Sequence, residues 1–205
     1  MKNSKKALFS LLCVAFCVVI FACASSGGGG ASAPVSSEPV SGVFKFEAND
    51  DSNDKGTSKI VMTVADEVID GVTYKTYKFK GEVTNKIQYG VVDATLTPDD
   101  DTLALLKTCK AISFKMVTTD GRPYNVEAPI SSVTDWGFHR YPVKTEPNVV
   151  QEVKIEMRMF MQPSWAQAVR FSQTRLTKFR IQTFNAAEGG VGPFEFKVWD
   201  FKIYP

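Results

Sequence analysis

From Val43 onward, apolar and polar side chains trade places with a period of two. Phe44 and Phe46 alternate with Lys45 and Glu47, Ile112, Phe114 and Met116 with Ser113, Lys115 and Val117, and Tyr124, Val126 and Ala128 with Asn125 and Glu127. The same holds for Val153, Ile155 and Met157 against Lys154, Glu156 and Arg158, and for Phe179, Ile181 and Thr183 against Arg180 and Gln182. Successive side chains of a strand point to opposite faces, so this pattern predicts strands with one buried face. About nine short strands without a long helix predict an all-β domain, a β-sandwich or jelly roll.

Turn chemistry punctuates the pattern. Asp70-Gly71 between Ile60–Ile69 and Val72–Lys80 predicts a hairpin, and so does Asp120-Gly121 between Ala111–Thr118 and Tyr124–Ile130, because Asp-Gly tolerates the positive φ that tight hairpin turns require. Thr84–Leu96 predicts another strand with Gly90 as a bulge. Thr102–Thr108 behind three aspartates predicts a short capped helical turn, and Ser164–Arg170 a second one. In the last segment Phe194, Phe196 and Val198 share one phase, while Phe201 and Ile203 share the other. One strand buries both sets only if its register slips by one residue, which predicts a β-bulge at Trp199-Asp200.

The first 42 residues do not follow this pattern. Met1–Lys6 carries three lysines, and Ala7–Ala22 is 16 residues without charge, the layout of an export signal and short of the roughly 20 residues a spanning helix needs. Ile20-Phe21-Ala22-Cys23 then resembles the bacterial lipobox, which predicts a signal peptide over 1–22 and covalent lipid such as palmitate on Cys23. Acyl chains contribute about 0.8 kcal/mol per buried CH₂, so a multiply acylated cysteine anchors stably to a membrane. Residues 23–42 read as a Gly/Ser/Pro tether, whose 19 residues after the cysteine span roughly 22–26 Å root-mean-square. The folded domain is expected over 43–205. The expected location is the bacterial cell envelope; Ala24 does not resemble the aspartate retention signal, which favours the outer membrane or cell surface.

Charge and composition narrow the function. The formal charge is +2, but without Lys2, Lys5 and Lys6 there are 21 basic against 22 acidic residues, which gives no electrostatic footprint for nucleic acid. With 44% hydrophobic and 22% charged residues, the chain is neither disordered nor a polytopic membrane protein. Cys109 alone lies in the folded part, so no disulfide closes within it, and the thiol reads as a small buried hydrophobe. No G-x-S-x-G, P-loop or H-E-x-x-H motif occurs, and a single histidine with one interior cysteine disfavours zinc. An enzyme is not expected.

Two stretches carry candidate chemistry. Tyr124, Trp136, Phe138, His139 and Tyr141, with Trp165 further on, could form an aromatic platform for the apolar face of a sugar ring, flanked by Arg140, His139 and Gln162 for its hydroxyls. Equally, these aromatics could be core. Glu47–Gly56 is rich in oxygen ligands of the kind calcium takes, or is simply a solvated turn.

The stretches DGRPYNVEAPISSVTDWGFHRYPVKT (Asp120–Thr145), VVQEVKIEM (Val149–Met157), MQPSW (Met161–Trp165) and GPFEFKVWDFKIY (Gly192–Tyr204) resemble the complex I intermediate-associated family and its bacterial relatives among the galactose-binding-like β-sandwiches. The resemblance covers roughly Phe44–Pro205. The chain departs from the family at Val149 or Val150, where a tryptophan is usual, and at Met157-Arg158 in place of Pro-Phe. The resemblance implies a galactose-binding-like jelly-roll sandwich, a fold that often binds carbohydrate. It also implies a structural Ca²⁺ held by Glu47, Asp54 and Asp200. The resulting expectation is a lipid-anchored envelope module that binds glycan through Tyr124, Trp136, His139, Arg140, Tyr141 and Trp165. A protein-interaction or assembly lipoprotein using the same face for an envelope protein is the alternative.

Overall fold

The computed structural model describes residues 38–185 and 190–205. The expected signal peptide, Cys23 and most of the tether lie outside the described residues. Among the described residues eleven strands follow one another: β1 (Val40–Ser41), β2 (Phe44–Asn49), β3 (Lys59–Ile69), β4 (Val72–Val83), β5 (Val91–Pro98), β6 (Ala111–Thr118), β7 (Tyr124–Ala128), β8 (His139–Val143), β9 (Gln151–Glu156), β10 (Phe179–Phe184) and β11 (Gly192–Tyr204). An α-helix, α1 (Asp100–Leu106), lies between β5 and β6.

All pairings of these strands are antiparallel. One sheet runs β3-β4-β11-β6-β9, with β1 added alongside β11, and the other runs β2-β5-β10-β7-β8. Each sheet thus draws its strands from distant parts of the chain, which is the jelly-roll form of a sandwich. The inward phases predicted from sequence meet in one core. Phe79 stacks on Phe196 at 4.9 Å between ring centroids, Phe114 on Phe201 at 5.2 Å, and Tyr124 meets Phe196 edge-on at 5.0 Å.

The bulge forms where the phase change requires it. On β11 the register passes from Trp199↔Lys115 to Lys202↔Ser113, one residue more than on β6, and Asp200 takes a φ of 56°. Phe194, Phe196 and Val198 before the slip, and Phe201 and Ile203 after it, therefore all face the core. Trp199 is 1% exposed. The Asp70-Gly71 hairpin also forms: Ile69 faces Val72 across it, and both turn residues have positive φ, as a two-residue hairpin of this twist requires. Asp99 caps α1 through a 2.8 Å bond accepted from the Thr102 N–H.

Four expectations are corrected. Asp120-Gly121 closes no hairpin, because β6 lies in one sheet and β7 in the other; the turn carries the chain across the sandwich. The strand expected over Thr84–Leu96 starts only at Val91, after a loop that folds back against Gly90. Ser164–Arg170 is not helical: the N–H groups of Gln167 and Val169 donate to the side chains of Asp135 and Gln162 instead of to the preceding turn. The ordered ladder also begins before residue 43, since Val40 and Ser41 pair with Ile203 and Lys202.

Candidate functional site

Two loops meet beside the β8 edge. The start of β8, where the chain arriving from β7 enters it, and the chain after β9 are joined by a pair of backbone hydrogen bonds between Arg140 and Met161. Beyond that bridge they are clasped by two side chains. Asp135 accepts the N–H of Gln167 at 2.7 Å and that of Gly137 at 3.0 Å, and these donors hold its carboxyl below its ordinary range. Gln162 donates to the Gly137 carbonyl at 2.7 Å and accepts the Val169 N–H at 2.6 Å. Gly137 permits the close approach: a Cβ there would overlap that of Ala166.

The clasp presents two indoles to solvent. Trp136 is 74% exposed and Trp165 65%. Trp136 has a φ of 65°, a left-handed conformation that costs a bulky residue roughly 1–3 kcal/mol and persists only where surroundings enforce it. The flanking Asp135 and Gly137, both fixed by the clasp, supply that enforcement. Phe138 stands edge-on to Trp136 at 6.2 Å, and the Arg180 guanidinium lies 4.9 Å from the Phe138 ring centroid.

Arg180 opens onto a polar shelf, the outer face of the second sheet. Register places Glu47, Thr95, Arg180, Glu127 and Arg140 in one row and Asn49, Asp93, Gln182 and Asn125 in the next. Arg180 donates to Glu127 through Nε, at 3.0 Å, and through Nη2, while Gln182 donates to the other Glu127 oxygen. Asn49 donates to Asp93 and Thr95, and Thr95 donates to Asp93 at 2.7 Å. Glu127 is 4% exposed. Burial pushes its carboxyl above the ordinary range against the opposing pull of Arg180. Fixed amides, carboxylates and a guanidinium of this kind suit a ligand that offers many hydroxyls.

The other expected ligand residues separate. Tyr124 is 1% exposed; it shares the inward phase of Val126 and Ala128 and serves the core, not a binding platform. His139 is buried with its ring 5.0 Å from Phe171, and burial lowers its pKa. Tyr141 is half-buried against the core. Arg140 stays half-buried at the end of the shelf. The residues that sequence reasoning passed over are Asn49, Asp93, Thr95, Asn125, Glu127, Arg180 and Gln182. Their signal was present in the outward phases of the strands, where Asn, Gln, Asp, Glu and Arg stand together.

The residues implied for Ca²⁺ do not fit it. Glu47 is bonded to Lys45 at 2.7 Å and Asp200 to Lys202 at 2.9 Å. Asp54 lies on a turn whose following residues, Thr57 and Ser58, bond Thr84 at the end of β4. That end pairs with Gly192, eight residues along β11 from Asp200, or about 25 Å at roughly 3.3 Å per residue. Among the described residues no three His, Cys, Asp or Glu side chains gather to hold a metal ion. The carboxylate buried in this loop is Asp51, which accepts the Ser58 N–H at 2.9 Å and hydroxyl at 2.6 Å.

Comparison with known proteins adds a family and a fold. Residues 37–198 match the family described as Complex I intermediate-associated protein 30 (CIA30). The structure is similar to the family 11 carbohydrate-binding module of a cellulosomal cellulase of Clostridium thermocellum, with a TM-score of 0.53, 12% identity, and 84% of this chain and 96% of that one covered. It is similar to the same module from that organism in complex with a β-1,3-1,4-mixed-linked tetrasaccharide, with a TM-score of 0.53, 12% identity, and 80% and 90% coverage. No curated protein matches the chain.

Proposed function

From the premise that the chain belongs to the Complex I intermediate-associated protein 30 family, with a galactose-binding-like β-sandwich, we propose that it is a non-catalytic, glycan-binding module, tethered to the bacterial envelope through lipid on Cys23. The observation that carries the reading is the clasp, where Trp136 is held at a costly φ and leaves its indole, with that of Trp165, in solvent. Sugar CH faces stack on the indoles, and the hydroxyls turn toward the shelf. Glu127 and Asp93 both face Arg180, so both carboxylates of the shelf are engaged within the protein. The likeness to carbohydrate-binding modules supports the same reading at the level of fold.

The test is a titration of tryptophan fluorescence in the full chain, in mild detergent, against a panel of polysaccharides. The expected result is a saturable change abolished by Trp136→Ala or Trp165→Ala. No response from a folded protein across the panel overturns the glycan reading. Met159 and Met161, exposed on the second loop, favour the alternative of a protein-interaction or assembly lipoprotein, since Met and Trp are enriched at protein interfaces. That alternative predicts tryptophan-dependent capture of an envelope protein without any glycan response. The anchor is tested separately: Cys23→Ser should release the chain from membranes and abolish palmitate labelling.

A further inference from the structure

Charge is spread unevenly around the clasp. Met157–Phe184 contains Arg158, Arg170, Arg175, Lys178 and Arg180 and no Asp or Glu, although the chain as a whole is nearly balanced. Arg158 is bonded to Glu156 and Arg180 to Glu127. Arg170 and Arg175 are exposed, and neither has an ion pair among the described residues; Arg140 is half-buried and faces Glu127 across the ladder.

Their positions follow from the backbone around them. Arg170 sits between Val169, whose N–H is held by Gln162, and Phe171, whose ring lies against His139. Arg140 shares the bridge with Met161, and the Arg175 carbonyl accepts the Ser131 N–H at the foot of the same loop. The acid within the clasp, Asp135, has both oxygens engaged by backbone N–H groups.

We propose that the clasp takes an anionic glycan, a sugar chain bearing carboxylate or sulfate groups, an inference that rests on the glycan reading above. The indoles take the apolar ring faces. The unpaired guanidiniums of Arg170 and Arg175 take the acid groups, with Arg140, which faces Glu127 across the ladder, beside them, since a guanidinium fork matches a planar carboxylate with two parallel hydrogen bonds. Hydroxyls alone accept single neutral hydrogen bonds and leave the positive charge of these forks uncompensated, whereas an acid group answers both. Because these cations lie at the surface, their contribution is screened by salt.

The experiment uses matched polymers on the full chain in mild detergent: dextran against dextran sulfate, and hydroxyethyl cellulose against carboxymethyl cellulose, each at low and high salt. The expected result is at least tenfold tighter binding of an anionic polymer at low salt. The two pairs separate sulfate from carboxylate. Arg170→Gln and Arg175→Gln should remove the preference, whereas Lys80→Gln on the opposite sheet should leave it intact. Equal binding of charged and neutral polymers, both lost in Trp136→Ala, overturns this inference and leaves the glycan reading standing. Binding of neither overturns both. A preference unaffected by the arginine variants, or equally lost in Lys80→Gln, also overturns the inference.

Discussion

Replacing Glu127 by Gln keeps the shape of the shelf's central residue and removes the charge that faces Arg180. Both side chains are largely buried, at 6% and 13% exposure. Removing one partner of a buried pair costs about 3–5 kcal/mol, because the other charge is left without compensation. Arg180 keeps Asp93 at 4.0 Å and the Phe138 ring at 4.9 Å, which offsets part of that cost and brings it to the bottom of the range or just under it, about 2–3 kcal/mol. For a chain of this size each kcal/mol moves Tm by about 2–4 °C, which gives a loss of roughly 4–12 °C. The double variant Glu127→Gln with Arg180→Met removes both charges and should lie within about 1 kcal/mol of the parent. Urea denaturation followed by circular dichroism measures the parent, the two single variants Glu127→Gln and Arg180→Met, and the double variant, and an unchanged slope identifies a change in stability alone. A single-variant loss under about 0.5 kcal/mol, or a double variant as unstable as the singles summed, would refute the pairing as what holds the shelf.

Three further outcomes follow from the same geometry. His139 is buried and neutral, with a pKa lowered from 6.5 by desolvation. The unfolded chain therefore takes up its proton first, and the stability this histidine contributes above pH 6.5 should be lost as pH falls below that value; His139→Leu should flatten that part of a pH–stability curve. Gly137→Ala should push Ala166 away and open the clasp, lowering glycan affinity at least about tenfold, while the overpacking costs about 1–3 kcal/mol of stability; paired titration and melting curves separate the two effects. Burial pushes the Cys109 thiol up to about 11, so in a chain with serine at positions 13, 17 and 23 its reaction with a disulfide reagent at pH 8 should be at least about 100-fold slower native than in denaturant.

The bulge at Trp199-Asp200 was legible because five apolar residues in two phases leave a single strand no other way to bury them. The Asp70-Gly71 hairpin was legible because its partner strands are neighbours in sequence. Asp120-Gly121 carries the same local signal, yet whether two strands share a sheet depends on the pairing of β6 with β11 and β9, which no local pattern encodes. Tyr124 could have been placed by its own phase, since it alternates inward with Val126 and Ala128. The shelf was hidden differently. Asn125, Glu127, Arg180 and Gln182 occupy the outward phase of their strands and resemble any solvated face until β10 is seen between β5 and β7. That placement lets the carboxylate, guanidinium and amide meet and exclude water.

The pairing of β1 with the end of β11 sets how the domain responds to a pull. On the N-terminal side the first paired positions of the sandwich are Val40 and Ser41, which pair with Ile203 and Lys202. These are followed by a bond from the Gly42 N–H to the Phe201 carbonyl and by two at Val43, whose N–H donates to the Thr102 hydroxyl and whose carbonyl accepts the Asp99 N–H, ahead of the six-residue ladder between β2 and β5. Peeling therefore starts at this short seam and frees residues 40–42, adding about 10 Å of reach at roughly 3.3 Å per residue. The clasp with its two indoles, built on β7, β8 and the chain after β9, keeps its shape through that extension. The seam gives way before a load reaches the strands on which the clasp is built.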